Sequence, residues 1–463
     1  MTWQTVLVPI VAQPHAAPVT APAVRLSGAS QSRSAKSVRN FSLLSIFAGP
    51  VLSVAIAFGW SAAAQSQVIG RSLANAAEAD AVALRPRLAY DAAGLDLGSF
   101  LVYPSVETKL TYDDNVYDSD VDRRSDENLV ISPKIRVQSQ WARNSLALTA
   151  GADIQRYRAL HTENNNQYSF AADGRFGISQ AVALSVDASY GRYTEPRGSL
   201  GDVVIGGEPG RYDHATAAAT ATAQTGDVLL TASGGVEYYN YLPIHLNDSL
   251  VSQDYQDRIT YSAGLRADYS VGPGLRVFVS GSDNIQRYQS EFGGINQNSH
   301  GISVLSGIAF GLTELISGEV GVGYLSQSYA QPSFGTVAGV TYSGKIVWNP
   351  TTLLTVTLNG NRTLQQSPLF DQAGVLEDSV GMKVDYEFLR NLLVSLSGTG
   401  VIDDYRGIDR HELLYAVDLT GRYLINRVVA IDLDINHRHE SATGTFVRRY
   451  SGSSVSLGLT LRK

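Results

Sequence analysis

Charged side chains recur at alternate positions through most of this 463-residue chain, and that spacing limits the chemistry they can do. On a β-strand, residues two apart share a face. The strand-like stretches therefore line up Glu107, Lys109, Lys134, Arg136, Asp153, Asp187, Arg266, Asp268, Glu319, Lys345, Lys383, Asp385, Asp418, Arg422, Asp432 and Asp434 on one common face, opposite an apolar one. Both signs alternate along it. One reading is a hydrated conduit whose carboxylates and cations hydrogen-bond passing hydroxyl-rich chains; the other is a set of ion pairs that brace neighbouring strands. Mixed signs argue against a strongly ion-selective constriction.

Two further groupings carry candidate chemistry. Asp118, Asp120 and Asp122 alternate in an acidic stretch with Asp113, Asp114 and Asn115, giving oxygen ligands of the kind calcium takes, but without the glycine and distal glutamate of an EF-hand loop. A solvated loop is the simpler expectation, so no metal is assigned. His437 and His439 share a strand face, and the register of Ile431, Leu433 and Ile435 points that face outward, with no third ligand nearby in sequence. Cysteine is absent, which excludes disulfides, thiolate metal sites and cysteine nucleophiles. No Gly-x-Ser-x-Gly elbow or Gly-x-x-x-x-Gly-Lys phosphate loop occurs. No catalytic residue and no cofactor is expected.

The elements that must carry these groups are strands joined by tight turns. Turns are expected at Ala142-Arg143-Asn144, Ser179-Gln180, Gly226-Asp227, Gly272-Pro273-Gly274, Leu312-Thr313-Glu314, Asn349-Pro350-Thr351, Arg390-Asn391 and Asn426-Arg427. They recur about every 40 residues, room for two long strands and one longer loop per unit, as in up-and-down barrels. Period-two patterning is clear in Leu146-Leu148-Ala150-Ala152-Ile154, Val182-Leu184-Val186-Ala188, Leu354-Val356-Leu358 and Val455-Leu457-Leu459-Leu461. A soluble sandwich also alternates. Aromatic placement favours a bilayer: Trp141, Tyr269, Phe310, Trp348, Phe388 and Tyr423 lie near tight turns on the apolar register, as an aromatic girdle. A second group, Tyr112, Tyr190, Tyr241, Tyr288, Tyr324 and Tyr405, lies toward the longer loops. The expected fold is all-β: a transmembrane antiparallel up-and-down β-barrel of about 18 strands with short periplasmic turns. Sixteen result if the weakest strand, Tyr212 to Gln224 with its Ala/Thr alternation, fails. The loops Arg197 to Arg211 and Leu242 to Gln253 look too short to fill a wide barrel.

Residues 1–64 read as an N-terminal extension and signal peptide. They hold Arg25, Arg33, Lys36 and Arg39, no acid, and an apolar run from Phe41 to Trp60; Ala62 and Ala64 frame a cleavage site before Gln65. A membrane anchor is the competing reading of that run. Residues 65–103 are then a periplasmic segment and 104–463 the barrel. The whole chain carries a net charge of −7, and losing the basic leader makes it more acidic, which excludes a nucleic-acid binder. Gly at 43 and Tyr at 24 suit strands and a lipid interface. Secretion and barrel together place the chain in the outer membrane of a Gram-negative bacterium, with outer-membrane lipid, lipopolysaccharide and the barrel-assembly machinery as partners. Outer-membrane barrels usually end in an aromatic residue, whereas this chain ends Leu461-Arg462-Lys463, so the signal is degenerate or the last two residues trail beyond it.

The segment Gly94 to Tyr117 carries Gly94, Gly98, Ser99, Phe100, Pro104, Tyr112, Asp113, Asp114, Asn115 and Val116 in an arrangement that resembles the putative β-barrel porin 2 family of outer-membrane proteins. The resemblance extends more weakly through Pro133, Tyr157 and Glu195 to the C-terminus. It implies an association with exopolysaccharide export, in which the barrel pairs with a periplasmic polysaccharide-export protein and conducts the polysaccharide. The alternatives are a structural or surface-interaction barrel and a general diffusion porin with no polysaccharide role. A lipid hydrolase would need a Ser/His pair at the outer rim.

Overall fold

The computed structural model describes residues 81–463, apart from 203–206, 247–248, 292, 314, 368, 370–371 and 446–447. The leader and its cleavage site after Ala64 lie outside the described residues. Eighteen long strands, from Phe100–Asp113 to Tyr450–Arg462, pair each with the next in antiparallel register. The first then pairs with the last, Ser105 opposite Arg462 through Asp113 opposite Ser454. That seam closes the sheet, so among the described residues every long strand has a neighbour on both sides. Among the described residues no helix is long and apolar enough to cross a membrane. This is a transmembrane-type β-barrel with both ends of the sheet on the short-turn side.

Polarity across the wall is inverted relative to a soluble protein. Leu265 is 70 % exposed and Leu457 58 %, while Lys109 is 3 % and Arg266 4 % exposed. Such an exterior is stable only against hydrocarbon. Toward the longer loops the outward register turns polar in pairs: Arg192 with Asp213, His300 with Asp283, Arg362 with Asp378, and Asp404 with both Arg406 and His411. The apolar band thus ends at one level around the barrel, where lipid headgroups begin.

The turns follow the expected pattern with two shifts. Gly226 (φ 56°) and Gly274 (φ 71°) supply the left-handed backbone that two-residue hairpins require. The strand expected to turn at Leu312-Thr313-Glu314 runs on to Thr313 through a register shift between Gly311 and Thr313. The strand expected to turn at Asn349-Pro350-Thr351 likewise reaches Thr351, its ladder interrupted between Trp348 and Thr351. Pro350 sits in that irregularity, where its missing N–H costs no ladder bond. The doubtful Ala/Thr strand forms over its whole length, Arg211–Thr225, and brings the number to eighteen.

The aromatics divide by register. Trp141, Tyr269, Trp348, Phe388 and Tyr423 are exposed on the outer face near the short turns, with Phe310 partly covered, and Trp141 meets Phe100 edge-on at 5.6 Å. In the second group Tyr112, Tyr190 and Tyr324 face outward, but Tyr241 and Tyr405 are buried and Tyr288 shares their inward register. Closeness to a loop does not decide a face. Parity does, and these three lie on the inward parity of their strands.

Candidate functional site

Inward-facing side chains converge in three regions. The first straddles the closing seam: Lys109 lies 3.9 Å from Asp434, and Arg422 pairs with Asp432 at 2.9 Å, which also accepts from Thr460 at 3.1 Å. Glu107 stands beside them on the same face. Asp418 accepts from Asn436 at 2.5 Å. The second is a tight knot in which Arg266 bonds Asp268 and Glu319 at 2.6 to 2.9 Å, its guanidinium 3.8 Å above the Phe278 ring. Lys345 is the register partner of Glu319 on the next strand. Lys383 pairs with Asp385 at 2.9 Å, and Ser395 donates to Asp385.

Other residues of the expected wall stand apart. Asp153 accepts from Ser132 at 2.6 Å. Asp187 has Asp173, a like charge, as its register partner. Lys134 and Arg136 share their face, and among the described residues neither stands in an ion pair with an acid. Where pairs form, cross-strand bracing and a polar lining are the same groups.

The third region is the long-loop mouth. Arg438 reaches up to Asp113 at 2.9 Å and Asp118 at 2.7 Å. Asp118 is fully enclosed; burial pushes its carboxyl up to about 7, with Arg438 only partly opposing. Asp120 is exposed and Asp122 bonds the exposed Arg124, so the three alternating aspartates diverge rather than converge. No group of metal-holding side chains forms among the described residues. His437 donates to or accepts from Ser453 at 2.9 Å on the outer face, and Tyr415 lies against His439, ring centroids 5.0 Å apart.

The loop after Glu195 is the centre of this mouth. Arg197 grips Glu163 through two bonds of 2.8 and 2.9 Å and Asp202 at 3.3 Å, and Asp202 in turn faces the buried Arg448 at 3.7 Å. Leu200 packs with Val375 and Tyr405, on strands half the barrel away. Length alone therefore misleads: a loop too short to fill the barrel still crosses it, because it needs one leucine at the far wall rather than a domain.

A second covering lies at the short-turn mouth. Val82 is fully buried and donates its N–H to Thr355 at 2.9 Å; Arg87 pairs with Glu387 at 2.9 Å, both side chains nearly inaccessible. Tyr90 packs with Leu424, Ala430 and Leu393, and its carbonyl accepts from Arg462. Residues 81–92 thus line one side of that mouth. Between the two coverings a cavity of about 190 Å³ lies against the wall, lined by Ser280, Ser282, Asn284, Ser303, Gln327 and Asn361 among others.

Residues 88–463 match the family described as Putative beta-barrel porin 2. The chain belongs to that family. The barrel has solved counterparts of low likeness. OpdK of Pseudomonas aeruginosa with vanillate is 10% identical, with a TM-score of 0.41 over 78% of this chain and 99% of that chain. OccAB3 of Acinetobacter baumannii is 11% identical at 0.41, with the same coverage. A BenF-like porin from Pseudomonas fluorescens is 10% identical at 0.40, again over 78% and 99%. No curated protein sequence matches the chain.

Sequence reading missed Arg438, Arg197, Glu163 and Arg87. Arg438 had a signal, since it occupies the inward parity between His437 and His439. Arg197, Glu163 and Arg87 had none, because loop residues carry no period from which a face can be read.

Proposed function

We propose that this porin-family barrel is a general passage for small polar solutes across the outer membrane of a Gram-negative bacterium. The observation that carries the reading is the cavity, lined by serine hydroxyls and amides as well as apolar groups, inside a closed eighteen-stranded wall whose outer surface is apolar. Barrels of this strand number are wide enough to hold water unless segments fold into them. Here two do, one at each mouth, so the bore is narrowed rather than uniform. Lipopolysaccharide at the outer polar rim and the barrel-assembly machinery are the partners this placement calls for.

The finer reading, export of an exopolysaccharide with a periplasmic export protein, rests on family resemblance. A polymer chain would have to displace both the Leu200 loop and the 81–92 segment, which favours small solutes. Purified protein in planar bilayers is expected to give discrete conductance steps; a barrel that folds yet stays closed at every voltage would sink the passage reading. Unchanged surface polysaccharide in a deletion strain would count against the export reading alone.

A further inference from the structure

The geometry points to a site for a phosphate of an outer-leaflet lipid, lipopolysaccharide, on the outer face of the hairpin formed by Val429–Gly444 and Tyr450–Arg462. The inference rests on the outer-membrane placement above and not on the passage. Parity carries the outer face of one strand from Ile435 to His437, His439 and Ser441, and that of its partner from Val455 to Ser453 and Ser451. Ile435 pairs in register with Val455, and His437 with Ser453. The apolar band therefore stops at the first pair, and the second stands in the first polar row, at the level of lipid headgroups. Arg449, exposed, precedes the last strand by one residue on the same parity.

This row departs from its neighbours on the rim. Arg192, His300, Arg362 and Arg406 each face an acid, whereas no acid occupies the outward positions from His437 to Thr443 or from Arg449 to Ser453. The acids on either flank are taken, Asp404 by Arg406 and His411, and Asp114 by Arg123 at 2.7 Å. Arg449 donates through Nε and Nη2 to the Ala442 carbonyl at 3.1 and 3.0 Å, which fixes the guanidinium but leaves its charge without a carboxylate. The imidazoles are fixed as well. His437 bonds Ser453 Oγ through Nδ1 at 2.9 Å, so Nε2 stays open to a ligand, and the Tyr415 ring lies 5.0 Å from that of His439 and 6.4 Å from that of His437. With no third metal-holding side chain beside them among the described residues, the two imidazoles serve an anion better than a metal. A phosphate accepts from guanidinium, imidazole and hydroxyl together, and donors already held in place lose little freedom in binding it.

The test is a titration of the delipidated full barrel in detergent, read by native mass spectrometry, with lipid A against the same lipid stripped of its phosphates. EDTA is present throughout, so that no divalent ion bridges lipid and protein. The phosphorylated lipid is expected to bind roughly tenfold more tightly, about the worth of one charge-assisted hydrogen bond. Arg449→Ala, which touches no ladder bond, and His437→Ser/His439→Ser should each bring the two affinities together. Arg287→Ala removes an exposed outward arginine on the far side of the barrel and should leave the ratio as it is. Equal affinity for the two lipids, or a ratio that Arg287→Ala lowers as much as Arg449→Ala does, would overturn the site while conductance, and with it the passage reading, stands. Displacement of lipid A by an equal concentration of inorganic phosphate would reassign the site to free anions and overturn the lipid as its ligand. A barrel that keeps the lipid preference yet never conducts would overturn the passage reading alone.

Discussion

Asp118 shows how one loop residue couples the long-loop mouth to pH. Its backbone adopts φ 47°, which aspartate tolerates better than most residues, and its carboxyl is enclosed beside Arg438. Because burial raises its folded value to about 7, the unfolded or undocked loop gives up its proton first as pH rises from the ordinary carboxylate range. Docking is therefore strongest on the acid side, weakens between roughly pH 4 and 7, and is constant above. Limited proteolysis of residues 114–125 should accelerate over that window, and Asp118→Asn, which also tolerates the left-handed backbone, should flatten the dependence. An unchanged pH profile in that variant would place the titration elsewhere. Gly307 makes a separate residue-scale point: a β-carbon there would fall on the Val320 carbonyl and against the Phe278 ring. Gly307→Val should cost several kcal/mol, of order 3 or more once overpacking and lost Phe278 seating combine, and should be read as loss of the heat-modifiable folded band.

At the scale of elements, the segment 81–92 and the closing strand behave differently. The Arg87–Glu387 pair is buried at the short-turn mouth; removing Arg87 leaves Glu387 only the exposed Arg390 at 3.4 Å, a loss of up to about 3–5 kcal/mol. That cost falls on the segment rather than on the ladders. Arg87→Ala should leave the barrel folded, expose the segment to protease and raise single-channel conductance; conductance equal to that of the unaltered protein would mean the segment does not narrow the path. The last strand tolerates no such loss. Arg462 donates its N–H to Val428 and its guanidinium to Tyr90, and Lys463 donates to Pro104, so the two terminal basic residues belong to the ladder instead of trailing beyond it. Removing Tyr450–Arg462 would open two edges at once, and the expected result is aggregated, unassembled protein.

For the whole molecule, acidic side chains outnumber basic ones on the inward parity of the strands, and one-to-one ion pairs leave that excess in place. A cation preference follows, read as the sign of the reversal potential under a salt gradient and diminishing as salt screens the lumen. The eighteen strands, their faces and most turns were legible in the chain, because a residue's side of a strand depends only on parity and parity is local. Leu146 to Ile154 and Val429 to Ile435 could each be placed without knowing any neighbour. Which charges meet was not legible: Arg266 finds Glu319 across intervening strands, and Lys109 finds Asp434 only because the first strand joins the end of the sheet. Nor were the coverings, since Leu200 reaching Tyr405 and Val82 reaching Thr355 are contacts of irregular backbone whose direction no repeat encodes. Local alternation determined the wall; only closure of the sheet, which brings distant strands and loops into one enclosed space, decided what the wall surrounds.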